Sequence, residues 1–190
     1  MDNSILKLHG SSKTVFTSKE LALIWGETSP NKLKTKIYYY TKKGYLFRLW
    51  RGVYAKTMEY NSRELATSLY SPSYISFETV LRDAGMIFQH YETIFVAAPW
   101  SKNLQIGKNK FAFRRLKKSV LYNPTGIINK DNFSIALPER AFLDTIYLLG
   151  DYYFDNLDSL DWKKCFEMVE IYQSKQLVKH LRIYEQKYAQ

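Results

Sequence analysis

The chain has a single cysteine, Cys165, among its 190 residues. No disulfide can form within it, and such cysteine usage suits a reducing compartment. No stretch approaches the roughly 18 apolar residues that cross a bilayer. The opening residues, Met1-Asp2-Asn3-Ser4-Ile5, lack the basic segment and apolar core of a secretory signal. A cytoplasmic protein without membrane contact is expected. Metal chemistry has little to work with: His9, His90 and His180 are far apart and have no ligand spacing, and one cysteine does not make a structural zinc site. A phosphate-binding glycine loop is also missing, because Gly107-Lys108 lacks the earlier glycine and a following Ser or Thr. Asp151, Asp155, Asp158 and Asp161 fall in an acidic, aromatic stretch that reads as a loop, whereas a metal-dependent nuclease needs carboxylates converging from a rigid scaffold. The expectation is therefore no metal, no cofactor and no enzymatic activity.

Acidic residues are scarce at one end. Residues 1–56 hold 11 Lys or Arg against 3 Asp or Glu, a net of +8, while residues 57–190 hold 17 against 15, a net of +2. Most of the chain's +10 is thus concentrated in its first third, as in a two-part protein with one end that binds a polyanion. What the chain has in quantity is apolar and aromatic material, 46% and 16%, enough to build a core. The expected fold class is α+β: an N-terminal winged helix-turn-helix over residues 1–58, followed by a mixed α/β domain over 59–190.

The N-terminal reading rests on local signals. Ile5, Leu6 and Leu8 mark a short helix within residues 2–9, and Val15-Phe16 a short strand. Thr17-Ser18 can cap a second helix over 19–25, ended by Gly26 in a left-handed conformation. Ser29 and Pro30 then suit the cap and first position of a third helix, reaching about Lys43 and stopped by Gly44. Helix, turn, helix at this spacing is a helix-turn-helix. At roughly 100° per residue, Leu33, Ile37 and Tyr40 share one face of the third helix and would pack on the second. Asn31, Thr35, Tyr38 and Lys42 lie opposite, flanked by Lys32, Lys34 and Tyr39. Lysines contact phosphates, while Asn and Thr can reach base edges. Two β-prone runs, 45–50 and 53–56, joined at Arg51-Gly52, read as a hairpin. It would be the wing, with Arg48, Trp50 and Arg51 placed for a phosphate or the minor groove. The expected DNA-facing set is therefore Asn31, Lys32, Lys34, Thr35, Tyr38, Tyr39, Lys42, Arg48, Trp50 and Arg51.

Beyond a break near Met58–Asn61, Asn61 can cap a helix carrying Leu65, Ala66 and Leu69, interrupted by Ser71-Pro72-Ser73. A helix with Phe77, Val80, Leu81 and Ala84 follows, ended by Gly85. The runs 93–98, 110–116 and 133–137 are strand candidates, and Pro138-Glu139 opens a helix with Leu143, Ile146 and Leu149. Two helices, about 162–172 and 174–187, close the chain. Arg140 and Asp144, four apart, can form an ion pair that orients their helix. Arg114, Arg115, Lys117 and Lys118 make a second basic cluster, read either as a solvated strand end or as a secondary patch for DNA, RNA or a nucleotide.

Three blocks in this part stand in a telling order: Pro72-Ser73-Tyr74-Ile75-Ser76-Phe77-Glu78-Thr79-Val80-Leu81, then Ile94-Phe95-Val96-Ala97, then Ala136-Leu137-Pro138-Glu139-Arg140-Ala141-Phe142-Leu143-Asp144. Behind a winged helix, over about residues 14–150, they resemble the AbiEi family, bacterial antitoxins and transcriptional regulators of type IV toxin–antitoxin (abortive infection) systems. The resemblance implies a repressor that binds double-stranded DNA repeats in its own promoter. It also implies a C-terminal domain that counters a nucleotidyltransferase-type toxin without forming a stable complex. The alternative reading is a winged helix that docks protein or RNA, joined to a domain acting on a nucleic-acid or nucleotide substrate.

Overall fold

The computed structural model describes residues 3–90 and 92–188. The chain is a mixed α+β protein that divides into two compact units. The first comprises residues 1–69 with 131–133, and the second residues 70–130 with 134–190. The break falls after Leu69 rather than after residue 58.

In the first unit, α1 (Asn3–His9), β1 (Val15–Thr17), α2 (Ser18–Trp25), α3 (Pro30–Lys42), β2 (Phe47–Trp50), β3 (Val53–Ala55) and α4 (Ser62–Ser68) follow in order. Position 2, included in the expected first helix, lies outside the described residues. The ends of the helices are set by local chemistry. Thr17 accepts from the Glu20 amide, and the Glu20 side chain accepts from the Thr17 N–H, completing a capping box. Gly26 closes α2 at φ 64°. Ser29 accepts from the Lys32 amide, Pro30 fills the first turn of α3, and Gly44 follows at φ 75°. The strands form an antiparallel sheet in the order β1-β3-β2, with a bulge between Arg48 and Trp50. Ile37 and Tyr40 of α3 pack with Leu21, Phe16 and Leu8 into one core, against which Leu33 and Trp25 lie half-buried.

The first unit ends later than the sequence suggests because α4 is fastened to β1. The buried carboxylate of Glu64 accepts from the Thr14 amide at 2.7 Å, the Thr14 hydroxyl at 2.9 Å and the Val15 amide at 2.9 Å. These amides would otherwise lack a partner at the edge of the sheet.

The second unit contains β4 (Tyr74–Ile75), α5 (Glu78–Asp83), β5 (Thr93–Ala98), β6 (Lys102–Ile106), β7 (Asn109–Arg115), α6 (Lys118–Leu121), β8 (Ile127–Lys130), β9 (Phe133–Ala136), α7 (Pro138–Leu149), α8 (Trp162–Val169) and α9 (Lys175–Tyr188). Its six-stranded sheet runs β6-β7-β5-β4-β9-β8. β5 and β7 are parallel, as are β4 and β9, while β4 runs antiparallel to β5. Packed with the sheet is α7, whose residues from Glu139 to Ile146 are all buried. Among the described residues no helix is long and apolar enough to cross a membrane.

Candidate functional site

In the first unit, α3 and the β2–β3 hairpin assemble one open face. Asn31, Lys32, Lys34, Thr35, Tyr38, Tyr39 and Lys42 are all exposed on α3, as are Arg48 and Arg51 on the hairpin. Tyr38 and Tyr39 leave 67% and 53% of their surfaces uncovered, a large apolar exposure for a helix whose inner face already has its core. A cleft of about 480 Å³ lies between the two elements. Buried Ile37 and Tyr54 and half-buried Leu33 line it, with exposed Lys34, Tyr38, Arg48 and Arg51 around them. Gly52, at φ 75°, makes the turn that returns the hairpin. Its carbonyl accepts from the Ser18 amide at 2.9 Å, tying the hairpin to the start of α2.

Not every expected residue takes the role drawn from helical spacing. Trp50 is half-buried and offers only part of its ring. The Thr35 hydroxyl donates to the Asn31 carbonyl at 3.0 Å, so it can only accept from an outside donor. Lys36 is a different case that the sequence did not announce. Its ammonium donates to the Ser4 hydroxyl at 2.7 Å and lies 5.0 Å from the Trp25 ring centroid. It fastens α3 to the inner helices, whereas the neighbouring Lys32 and Lys34 stay in solvent. Glu20, whose carboxylate is bonded to Lys13 and Thr17, has its pKa lowered; burial works against this shift, and the Lys13 and Thr17 bonds outweigh it.

The second unit holds a polar centre closed to solvent. Arg140 and Asp144 of α7 are both fully buried, with Arg140 Nε 3.3 Å from Asp144 Oδ1. The carboxylate also accepts from the hydroxyls of Tyr172 at 2.7 Å, Ser76 at 2.8 Å and Tyr74 at 3.0 Å. The Arg140 guanidinium donates to the Val120 carbonyl at 2.8 Å, the Thr125 carbonyl at 2.7 Å and the Tyr74 hydroxyl at 3.0 Å. It lies 5.4 Å from each of the Tyr74 and Tyr172 ring centroids. Burial pushes the Asp144 carboxyl above the ordinary carboxylate range, and Arg140 with the three hydroxyls opposes that shift. Burial also raises the Tyr74 and Tyr172 phenols. It works against the Arg140 charge, yet Tyr172, Asp144 and Tyr74 together raise the guanidinium pKa. The sequence pointed to the Arg140–Asp144 pair but not to Tyr172, which arrives from a short 3₁₀ turn at 170–172.

The three sequence blocks meet here. Ile75 pairs with Val96 on one side and Ile135 on the other, while Tyr74 and Ser76 reach Asp144. Phe77 adopts φ 56° with its ring fully buried, a backbone conformation that side-chain-bearing residues rarely take unless packing holds them. Beyond it, Glu78 binds Arg114 through two 2.7 Å bonds, and the Thr79 hydroxyl accepts from the Phe95 amide at 2.8 Å. Among the described residues no buried side-chain nitrogen or oxygen is left without a hydrogen-bond partner, as expected of a well-satisfied polar core.

The second basic cluster separates into two parts. Arg114 turns toward Glu78 and the Phe95 ring, 4.4 Å away, because consecutive residues of a strand face opposite sides. It does not join a basic patch. Arg115, Lys117 and Lys118 are exposed together. The acidic stretch is divided among structural tasks: Asp155 accepts from the Phe88 amide at 2.7 Å, and Asp161 caps α8. Among the described residues no group of His, Cys, Asp and Glu could hold a metal ion. Cys165 is buried, and burial raises its thiol pKa above the usual thiol range. Compared with known proteins, the chain is matched by no family model and by no curated protein.

Proposed function

We propose that the first unit is a winged helix-turn-helix that binds duplex DNA. In this reading α3 is the recognition helix and the β2–β3 hairpin the wing. The observation that carries it is the exposed face of α3, which bears Asn31, Lys32, Lys34, Tyr38 and Lys42 beside Arg48 and Arg51 of the hairpin and includes no carboxylate. Lysines and arginines would neutralise phosphates, while Asn31, near the start of the helix, would meet base edges, with Tyr38 two turns further along the same face.

The resemblance to the AbiEi family extends the proposal. The protein would repress its own promoter by binding repeats there, and the second unit would act as the antitoxin against a nucleotidyltransferase-type toxin without a lasting complex. The protein would have no enzymatic activity and would work in the cytoplasm.

The test is a mobility-shift titration of the purified protein on the DNA upstream of its own gene, with random duplex as competitor. Preference for the upstream DNA is the expected result, with binding abolished in a Lys32→Ala, Lys34→Ala, Lys42→Ala variant that keeps its unfolding midpoint. Equal affinity for both duplexes removes the regulator reading. Co-expression with the neighbouring gene product tests the antitoxin role, which fails if growth is not rescued.

A further inference from the structure

Arg115, Lys117 and Lys118 project at the carboxyl end of β7, beside the carboxyl end of its parallel neighbour β5. Crevices outside the carboxyl ends of parallel strands are where open α/β sheets hold ligands. Here they line a cleft of about 570 Å³ with Pro99, Tyr147 and Leu148, a size within the range of small-molecule sites. The cations differ from four others in the same unit. Arg114, Lys110, Arg140 and Lys164 each have a carboxylate partner. No carboxylate lies within ion-pair distance of Arg115, Lys117 or Lys118 among the described residues. The wall across from them is aromatic and apolar: the Lys117 ammonium is 6.0 Å from the Tyr147 ring centroid, and Leu148 leaves 38% of its surface exposed.

Unpaired cations beside a half-buried ring and an exposed aliphatic surface match a ligand that joins a polyanion to a flat, π-rich group. We propose that this cleft binds a nucleoside phosphate, with Arg115, Lys117 and Lys118 on the phosphates and Tyr147 with Leu148 against the base. The arrangement is independent of the DNA-binding proposal, since none of these residues belongs to the first unit. Charge-assisted bonds give the phosphates their affinity. Stacking on the ring is tolerant of base identity, so discrimination among the bases should be slight.

The experiment is calorimetric titration of the full chain with ATP, GTP, AMP, adenosine, inorganic pyrophosphate and a short single-stranded oligonucleotide. The expected result is saturable binding of ATP and GTP, weakened roughly tenfold or more in Lys117→Ala, Lys118→Ala and Arg115→Ala variants. Because Tyr147 also packs against Tyr172 at 5.1 Å, the ring is tested with two substitutions. Tyr147→Phe should retain ATP binding, while Tyr147→Leu, with its unfolding midpoint checked, should weaken ATP but leave pyrophosphate unchanged. The Lys32→Ala, Lys34→Ala, Lys42→Ala variant should bind ATP as the parent does, which separates this site from the DNA face. The proposal is overturned if no nucleotide binds, if pyrophosphate and ATP respond alike to Tyr147→Leu, or if only the oligonucleotide binds.

Discussion

Arg140 and Asp144 share a third partner: the Tyr74 hydroxyl accepts from the arginine and donates to the carboxylate, each at 3.0 Å. One phenol therefore completes the pair on the side away from their direct contact, and the ring belongs to the short strand β4. Removing either ion leaves the other buried and uncompensated. Asp144→Asn or Arg140→Met is expected to lower stability by about 3–5 kcal/mol, read from urea unfolding. Tyr172→Phe removes one hydroxyl while keeping the ring, and a smaller loss of about 1–3 kcal/mol is expected.

Gly126 stands against the same arginine. Its φ is +74°, and an added Cβ would come within 2.6 Å of Met168 Sδ and 2.9 Å of Arg140 Cβ. Gly126→Ala combines backbone strain with a clash against a fixed side chain. A loss of about 2 kcal/mol or more is expected, whereas Gly85→Ala, with open space around its Cβ position, should register only the strain. Comparing the two thermal midpoints tests the difference.

Glu20 gives the first unit a dependence on acid. Its pKa in the folded chain lies below the ordinary 4.5, so its contribution is fully present above that value and is lost as pH falls through the lower, folded one. Unfolding midpoints followed from about pH 6 to pH 3 should decline less steeply in Glu20→Gln than in the parent. Parallel curves would show that the capping box carries no acid sensitivity. At neutral pH, Thr17→Ala should cost about 1 kcal/mol.

Arg48 and Arg51 are assigned to phosphates in the DNA-binding proposal. Each contact removed should reduce the slope of log affinity against log salt by about 0.9. Arg48→Ala and Arg51→Ala should thus weaken upstream and random duplex together. Asn31→Ala should instead narrow the preference between them and leave the salt slope unchanged. A salt slope indifferent to both arginines would place the hairpin away from the backbone.

What could be read from sequence was what neighbouring residues decide among themselves. Thr17 with Glu20, Ser29 with Pro30, and the turn glycines 26, 44 and 52 fix the first unit through local hydrogen bonds and backbone freedom, so its elements and exposed face were legible. The strands β4, β6 and β8 were not. Tyr74–Ile75 is too short to show a period, and Lys102–Ile106 is an edge strand whose residues are mostly exposed. The Arg140–Asp144 pair was visible from its four-residue spacing, but Tyr172 lies 28 positions away, and only the fold brings it there. Arg114 was misjudged for a related reason: charge counted along a strand says nothing of which side each residue faces, and Glu78 waits on the far side.

Glu64 has a practical consequence for dissecting the chain. A fragment cut where the charge pattern changes, near residue 58, would discard the carboxylate that receives the Thr14 and Val15 amides. It would expose the edge of β1 as a free template for strand addition, and the isolated piece would tend to self-associate. Any excised fragment of the first unit should therefore run through Leu69. For the same reason, a protease acting on the folded chain should spare the exposed Thr57–Glu59 bend less readily than the helix after it.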